Sequence, residues 1–548
     1  MFVLRFMRSI ILIICAEFYS SGSIVLKCNE SMIIGKRFHT VFEGKPYAAF
    51  YDIPYADAPI NELRFKPPIL RSKWLCNEIY EFNHENIQKK FTEDCLYLSV
   101  NMPLCAETKL PVLVWLHENS PWHGPDFLID EDVLIVTVSF RTSIFGFLNT
   151  EDEFAEGNMG AKDILTALKW LHDNISLFNG DRKRITVAGA GIASTPVASM
   201  LISPAVKDLI AGAIIFDGSA LSPSEYKNVN FEIASKLFTK LKGPFKNFYR
   251  KELYQSLNNS PTEKLLSASR ELFDSTEVRD NQRLINSFGC SLEIASRNNS
   301  FMKWTPVEMY RKKSVNNVPV IIGYTTLKTL YKLKGLVDNR NLLIYLNYNF
   351  QYLLPFEGKA DEYESDRYKK IKRRIIDFYF LNGTIGERSL RRYAKYLSDV
   401  DLYPLLRQAV LQSQTSQCPV YLWRFALKGS LNIGWRNFVP NLNWSGATLD
   451  DEICYLFKCK SLNHVYSGLE PNERDFIKKI VRLLANFIKH GNPTPYSRDD
   501  VLDNSQWLPL SGSGQLQALN CGRKTIKMMN IPEQHRFDFW NRLKNDFF

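Results

Sequence analysis

The chain of 548 residues lacks, beyond its N-terminus, any apolar run approaching the ~20 residues needed to cross a bilayer, and the C-terminal FDFWNRLKNDFF is too polar to do so. That excludes a multi-pass membrane protein. It has no internal repeat and no low-complexity tract, which argues against solenoids and disordered linkers. Cys454 and Cys459 in EICYLFKC have no second Cys/His pair near them, so a zinc site is not expected; neither a metal nor a cofactor is implied anywhere. An acidic excess is missing too. The formal net charge is +11, moderate for this size, and it permits attraction to acidic surfaces without calling for nucleic acid.

What is present is a large apolar content, 45% of residues, enough for a sizeable core. The first 23 residues carry Arg5 and Arg8, an apolar stretch Ile10–Cys15 and small residues around Ser20–Ser23, the pattern of a secretory signal. A membrane anchor is the competing reading, but the apolar stretch is short for one. The expected organisation is a signal peptide over 1–23 and one domain over 24–548, soluble and secreted, with no membrane span. Cysteine usage fits an extracellular setting. Without Cys15, nine of ten cysteines remain, an odd number that leaves at least one thiol free or paired between chains. Glycosylation sequons begin at Asn29, Asn174, Asn258, Asn298, Asn382 and Asn443; Asn174, inside a helical pattern, is the poorest acceptor.

Short β-rich apolar runs alternate with helical patterns. LPVLVWLH (110–117), VLIVTVSF (133–140), ITVAGA (185–190), LIAGAIIFDG (209–218), VPVIIGY (318–324) and VYLWRF (420–425) are continuous rather than alternating, as suits strands covered on both faces. In AKDILTALKWLHDNI the stripe Ile164, Leu165, Leu168, Leu171 and Ile175 predicts an amphipathic helix. A second runs through NERDFIKKIVRLLANFIKHGNP, with Asn472 as its expected cap and Gly491 at its end. The alternation predicts an α/β fold with a large, mostly parallel central sheet flanked by helices.

YDIPYADAPINELRFKPP (51–68), TEDCLYLSVNMP (92–103), FRTSIFGFL (140–148), GNMGAKDILTALKWLHDNISLFNGD (157–181), DGSALSP (217–223) and LLANFIKHGNP (483–493) occur in one order along the chain. In that order they resemble the landmarks of the type-B carboxylesterases and cholinesterases, the insect esterases above all. The resemblance implies the α/β-hydrolase fold and a disulfide between Cys76 and Cys95.

Ester hydrolysis by this family needs an activated serine, a histidine held by an acid, and donors for the oxyanion. In the family register the serine slot of ITVAGAGIAS is Gly191, the acid slot of GYTTLKT is Lys328, and the histidine slot of GATLDDEICYLF is Leu449. The glycine-rich oxyanion loop reads HENS, with Glu118, Asn119 and Ser120 after a structural His117. Ser194 and Thr195 are nearby hydroxyls, but a strand-to-helix elbow would not present them. No catalytic residue is expected. The chain resembles triad-lacking members such as neurotactin, glutactin and neuroligin, which implies an extracellular protein-binding or adhesion scaffold. Two alternatives stand beside it: a carrier of an apolar small molecule in the vestigial gorge, and a residual carboxylic ester hydrolase with a relocated nucleophile. The basic segments YKKIKRRIIDFY and RSLRRYAKYL place Arg373, Arg374, Arg391 and Arg392 on two helices. They are either solvated faces or a patch for an extracellular or cell-surface protein or a sulfated glycan.

Overall fold

The computed structural model describes residues 23–548 except 29–30, 72–78, 82–91, 105, 119–121, 224–225, 228–229, 244–248, 271, 273–287, 294–299, 335, 337–338, 340, 357–364, 382, 439–443, 513 and 523–524. Seventeen strands run in chain order among them: β1 Ser23–Cys28, β2 Ser31–His39, β3 Pro46–Pro54, β4 Ile79–Glu81, β5 Tyr97–Pro103, β6 Leu110–Leu116, β7 His123–Gly124, β8 Leu134–Val138, β9 Gly180–Gly189, β10 Gly212–Phe216, β11 Tyr226–Lys227, β12 Cys290–Ser291, β13 Val320–Thr325, β14 Val420–Phe425, β15 Lys458–Cys459, β16 Gln517–Cys521 and β17 Ile526–Asn530. Thirteen form one sheet in the order β1-β2-β3-β5-β8-β6-β9-β10-β13-β14-β16-β17, with β4 on β2. From β8 to β16 every neighbour is parallel; the hairpin-like ends β1-β2-β3-β5-β8 and β16-β17 are antiparallel. The six apolar runs read as strands supply β6, β8, β9, β10, β13 and β14.

Continuous apolar strands make two cores. In β6 all seven residues are buried. Leu110, Val112, Val114 and Leu116 point to one face, Leu113 and Trp115 to the other. Helix α1, Met159–Asn174, covers the first face with Ile164, Leu168 and Leu171. Helix α5, Pro471–His490, covers the second with Phe476, Ile480, Leu484 and Phe487. The cap of α5 differs from expectation. Glu470 is its N-cap and Asn472 lies inside, because Pro471 takes the first helical position, where its fixed φ fits and no amide is missed. Gly491 ends the helix at φ +68°.

A third core is rich in aromatic side chains. It joins α3 (Asp366–Phe380), α4 (Leu390–Thr415) and the C-terminal α6 (Gln534–Phe547), through Tyr368, Tyr379, Tyr396, Tyr403 and Trp540. Two bidentate ion pairs tie distant segments together. Arg64 clasps Glu93 at 2.7 and 2.5 Å, and buried Arg141 clasps Asp163 at 2.8 and 2.7 Å. All four residues lie in the ordered landmarks. No described helix is long and apolar enough to cross a membrane.

Candidate functional site

The C-terminal ends of the central parallel strands meet the site. β9 lies between β6 and β10, with Gly189 in register with Leu116 and Ile215. Ala190 follows in extended conformation, and the chain then turns at Gly191 with φ +56° before entering α2, Ser194–Met200. L-residues rarely adopt that left-handed value, and glycine does so without penalty. A Cβ at Gly191 would also collide with the Glu118 carboxylate.

Glu118 follows β6. Its Oε2 accepts the Ile192 amide at 3.2 Å and lies 3.8 Å from His117 Nδ1. In an esterase elbow, the amide after the nucleophile is an oxyanion donor; here it faces a side-chain carboxylate. The His117 ring is buried against Trp115, stacked at 5.9 Å, and its Nε2 lies 3.4 Å from Asp450 Oδ1. Burial pulls its pKa down, but the bond to Asp450 and the charges of Asp450 and Glu118 outweigh that and raise it. Neighbouring His123 takes the opposite course. Burial, then the His117 charge, push it down to about 3, and its Nδ1 accepts the Trp115 indole N–H at 3.2 Å.

Lys328 stands just past β13, its Nζ 3.4 Å from Asp401 Oδ2. Its carbonyl accepts the Leu449 amide at 3.2 Å and the Thr448 hydroxyl at 3.0 Å. The backbone thus brings the Lys328 and Leu449 positions together, although neither side chain is a carboxylate or an imidazole. Ser194 donates to the Gly191 carbonyl at 2.8 Å and Thr195 to the Ser219 carbonyl at 3.4 Å; both are buried. Asn119 and Ser120 lie outside the described residues.

Two carboxylates of the centre had no role assigned from sequence. Asp217, after β10, accepts the Thr325 amide at 2.9 Å and its hydroxyl at 2.6 Å, and burial pushes it up to about 6 against the pull of Lys328. Glu452 is buried; desolvation, then Asp217 and Asp450, drive its pKa far up, and its Oε2 has no hydrogen-bond partner. The available signal was an acid at the end of the apolar run LIAGAIIFDG, Asp217, and a third acid, Glu452, after Asp450 and Asp451 and before the apolar ICYLF.

The remaining predicted residues are scattered. Arg374 pairs with Asp546 at 3.0 Å, and Arg391 donates to the Ser445 carbonyl and hydroxyl at 3.1 and 2.9 Å. All four arginines, Arg373 and Arg392 included, are exposed on α3 and α4. Asn258 is half-buried with its side-chain oxygen enclosed. Asn29, Asn298, Asn382 and Asn443 lie outside the described residues, as does Cys76 of the implied Cys76–Cys95 pair; Cys95 stands as a free cysteine. The sequence leaves the pairing of Cys454 and Cys459 open. They form a disulfide, with Cα atoms 5.3 Å apart, and Cys459 of β15 pairs with His123 of β7 beneath His117.

This strand order, elbow and loop set can be compared with known proteins. The profile of the carboxylesterase family matches residues 22–540. The chain belongs to the carboxylesterase family. Among similar relatives, juvenile hormone esterase of Tribolium castaneum is 27% identical over 500 residues, covering 82% of this chain and 81% of that protein. Venom carboxylesterase-6 of Apis mellifera is 25% identical over 497 residues, covering 85% and 84%. A crystal structure of juvenile hormone esterase from Manduca sexta, with OTFP covalently attached, superposes with a TM-score of 0.76 at 20% identity, covering 95% of this chain and 100% of that one. The fold is that of the α/β-hydrolase esterases.

Proposed function

We propose that this carboxylesterase-family protein is secreted, performs no serine-ester chemistry, and acts outside the cell as a binding scaffold. The observation that carries the reading is the Glu118 carboxylate on the Ile192 amide, beside a glycine at the elbow. An ester's developing oxyanion would meet a fixed negative charge instead of a free donor, and nothing at Gly191 attacks it. Lys328 and Leu449 supply no acid–base pair to compensate. Loss of a whole triad costs such an enzyme about six orders of magnitude in turnover. The signal-like N-terminus and a relative named for venom support the extracellular setting.

The binding face we assign is the exposed basic surface of α3 and α4, suited to an acidic extracellular partner. The catalytic half of the reading is tested with a fluorophosphonate serine probe and short acyl esters. No labelling and no hydrolysis are expected. Stoichiometric labelling of any serine would overturn it.

A further inference from the structure

His117, Glu118 and Asp450 set two carboxylates about one imidazole, Asp450 at Nε2 and Glu118 nearer Nδ1, although 333 residues separate the histidine from Asp450. One donor atom from each lies within 4.8 Å of the other two. The hydrogen bond between His117 Nε2 and Asp450 Oδ1 is long, 3.4 Å against the usual ~2.7–3.2 Å. That length is close to the ~3.3 Å edge between two ligands of one tetrahedral ion with bonds of ~2.0–2.1 Å. The imidazole forms the floor, 1% exposed, while the carboxylates form a rim, 38% exposed at Glu118 and 29% at Asp450, so an ion has a way in. To complete the set, the part-exposed Glu118 has to turn its free carboxylate oxygen towards Nε2 while the other stays on the Ile192 amide.

A buried polar atom nearby lacks a partner: Glu452, two positions after Asp450, has its Oε2 enclosed without a hydrogen bond among the described residues. Lys328, beside Asp217, pairs with Asp401 at 3.4 Å. Glu118 is oriented by the Ile192 amide, the kind of outer hydrogen bond that holds ligating carboxylates in place. The Cys454–Cys459 bridge braces the strand pair under the ring.

We infer that His117, Glu118 and Asp450 form a binding site for one divalent transition-metal ion. A nitrogen donor with two carboxylates selects Zn²⁺-like ions over the hard Ca²⁺ and Mg²⁺, which take oxygen ligands. The ion would neutralise a carboxylate cluster that the serine-slot glycine leaves open, and would lock the loop after β6 onto the loop that carries Asp450.

The full mature chain, stripped with a chelator, is titrated with Zn²⁺ and followed by calorimetry and thermal melting. One ion per chain and a raised melting temperature are expected, with Glu118→Gln and Asp450→Asn each weakening affinity at least tenfold. Co²⁺ should show the visible bands of a low-coordinate site, and His117→Ala should abolish them. Should that buried substitution prevent folding, the two rim variants still decide the matter. No stoichiometric uptake, uptake indifferent to both rim variants, or preference for Ca²⁺ over Zn²⁺ would each overturn the assignment. Fluorophosphonate labelling, read with and without Zn²⁺, reports separately on the absence of serine chemistry.

Discussion

At the scale of residues, the centre is defined by a glycine and the glutamate that leans over it. Gly191→Ser alone should give no esterase. The new hydroxyl would have no base, and its Cβ would enter the space of the Glu118 carboxylate at a left-handed φ. We expect acyl-ester hydrolysis to stay at background and stability to fall by about 1–3 kcal/mol, measured by denaturant unfolding; robust turnover would show that the acid or base has been misplaced. Asp130 offers a pH test away from this centre. Burial pushes it up to about 6, although the Thr40 hydroxyl bonded to it pulls the other way. A carboxyl raised in the folded state contributes stability that is fully present below its unfolded value of ~4 and is lost as pH rises through about 6. Relative to Asp130→Asn, the wild type should therefore lose stability between pH 4 and pH 7, and melting curves across that window check the sign. The triad loss proposed at Gly191, Lys328 and Leu449 is read from the flanking motifs, which resemble those of the family. The seat of Glu118 on the Ile192 amide was not legible, since only the turn geometry brings residues 74 apart in sequence together.

At the scale of elements, strands and helices were largely readable. Continuous apolar runs such as LPVLVWLH have only one stable place, inside a sheet with both faces covered. Helix α3 was equally plain: Tyr368, Ile371, Ile375 and Tyr379 go inward and the basic residues outward. The start of α5 was misread because a proline and an asparagine competed for one terminus. The Cys454–Cys459 bridge was missed because a short spacing with no second pair was weighed only as a metal motif. The exposed arginines yield an element-level test. If α3 and α4 are the contact, binding to cells or matrix should weaken steeply from low to physiological salt, where screening acts over ~8–10 Å. Neutralising Arg373, Arg374, Arg391 and Arg392 together should weaken binding and leave the melting temperature nearly unchanged. The Arg374–Asp546 ion pair is solvent-exposed and worth little to folding. Salt-insensitive binding that survives all four changes would move the contact elsewhere.

At the scale of the whole molecule, the ordered landmarks persist where they hold the fold. Arg64–Glu93 and Arg141–Asp163 join segments that the chemistry never touches, and breaking a buried pair such as the second costs about 3–5 kcal/mol. The central sheet passes from β8 through β6 and β9 to β14 without a break, and α1 and α5 cover its opposite faces from distant parts of the sequence. A fragment ending after β9, residues 23–190, should therefore fail to fold alone, having lost both the neighbour of β9 and the helix over its second face. Well-dispersed amide NMR signals from that fragment would contradict this.

That uninterrupted sheet also restricts how such a protein can acquire novelty. Receptors strung from small independent modules diversify by duplicating, shuffling or shedding a unit at a time. Here no strand of the central sheet can be detached without breaking it, so a new recognition property is added on the layers outside that sheet, one surface substitution after another.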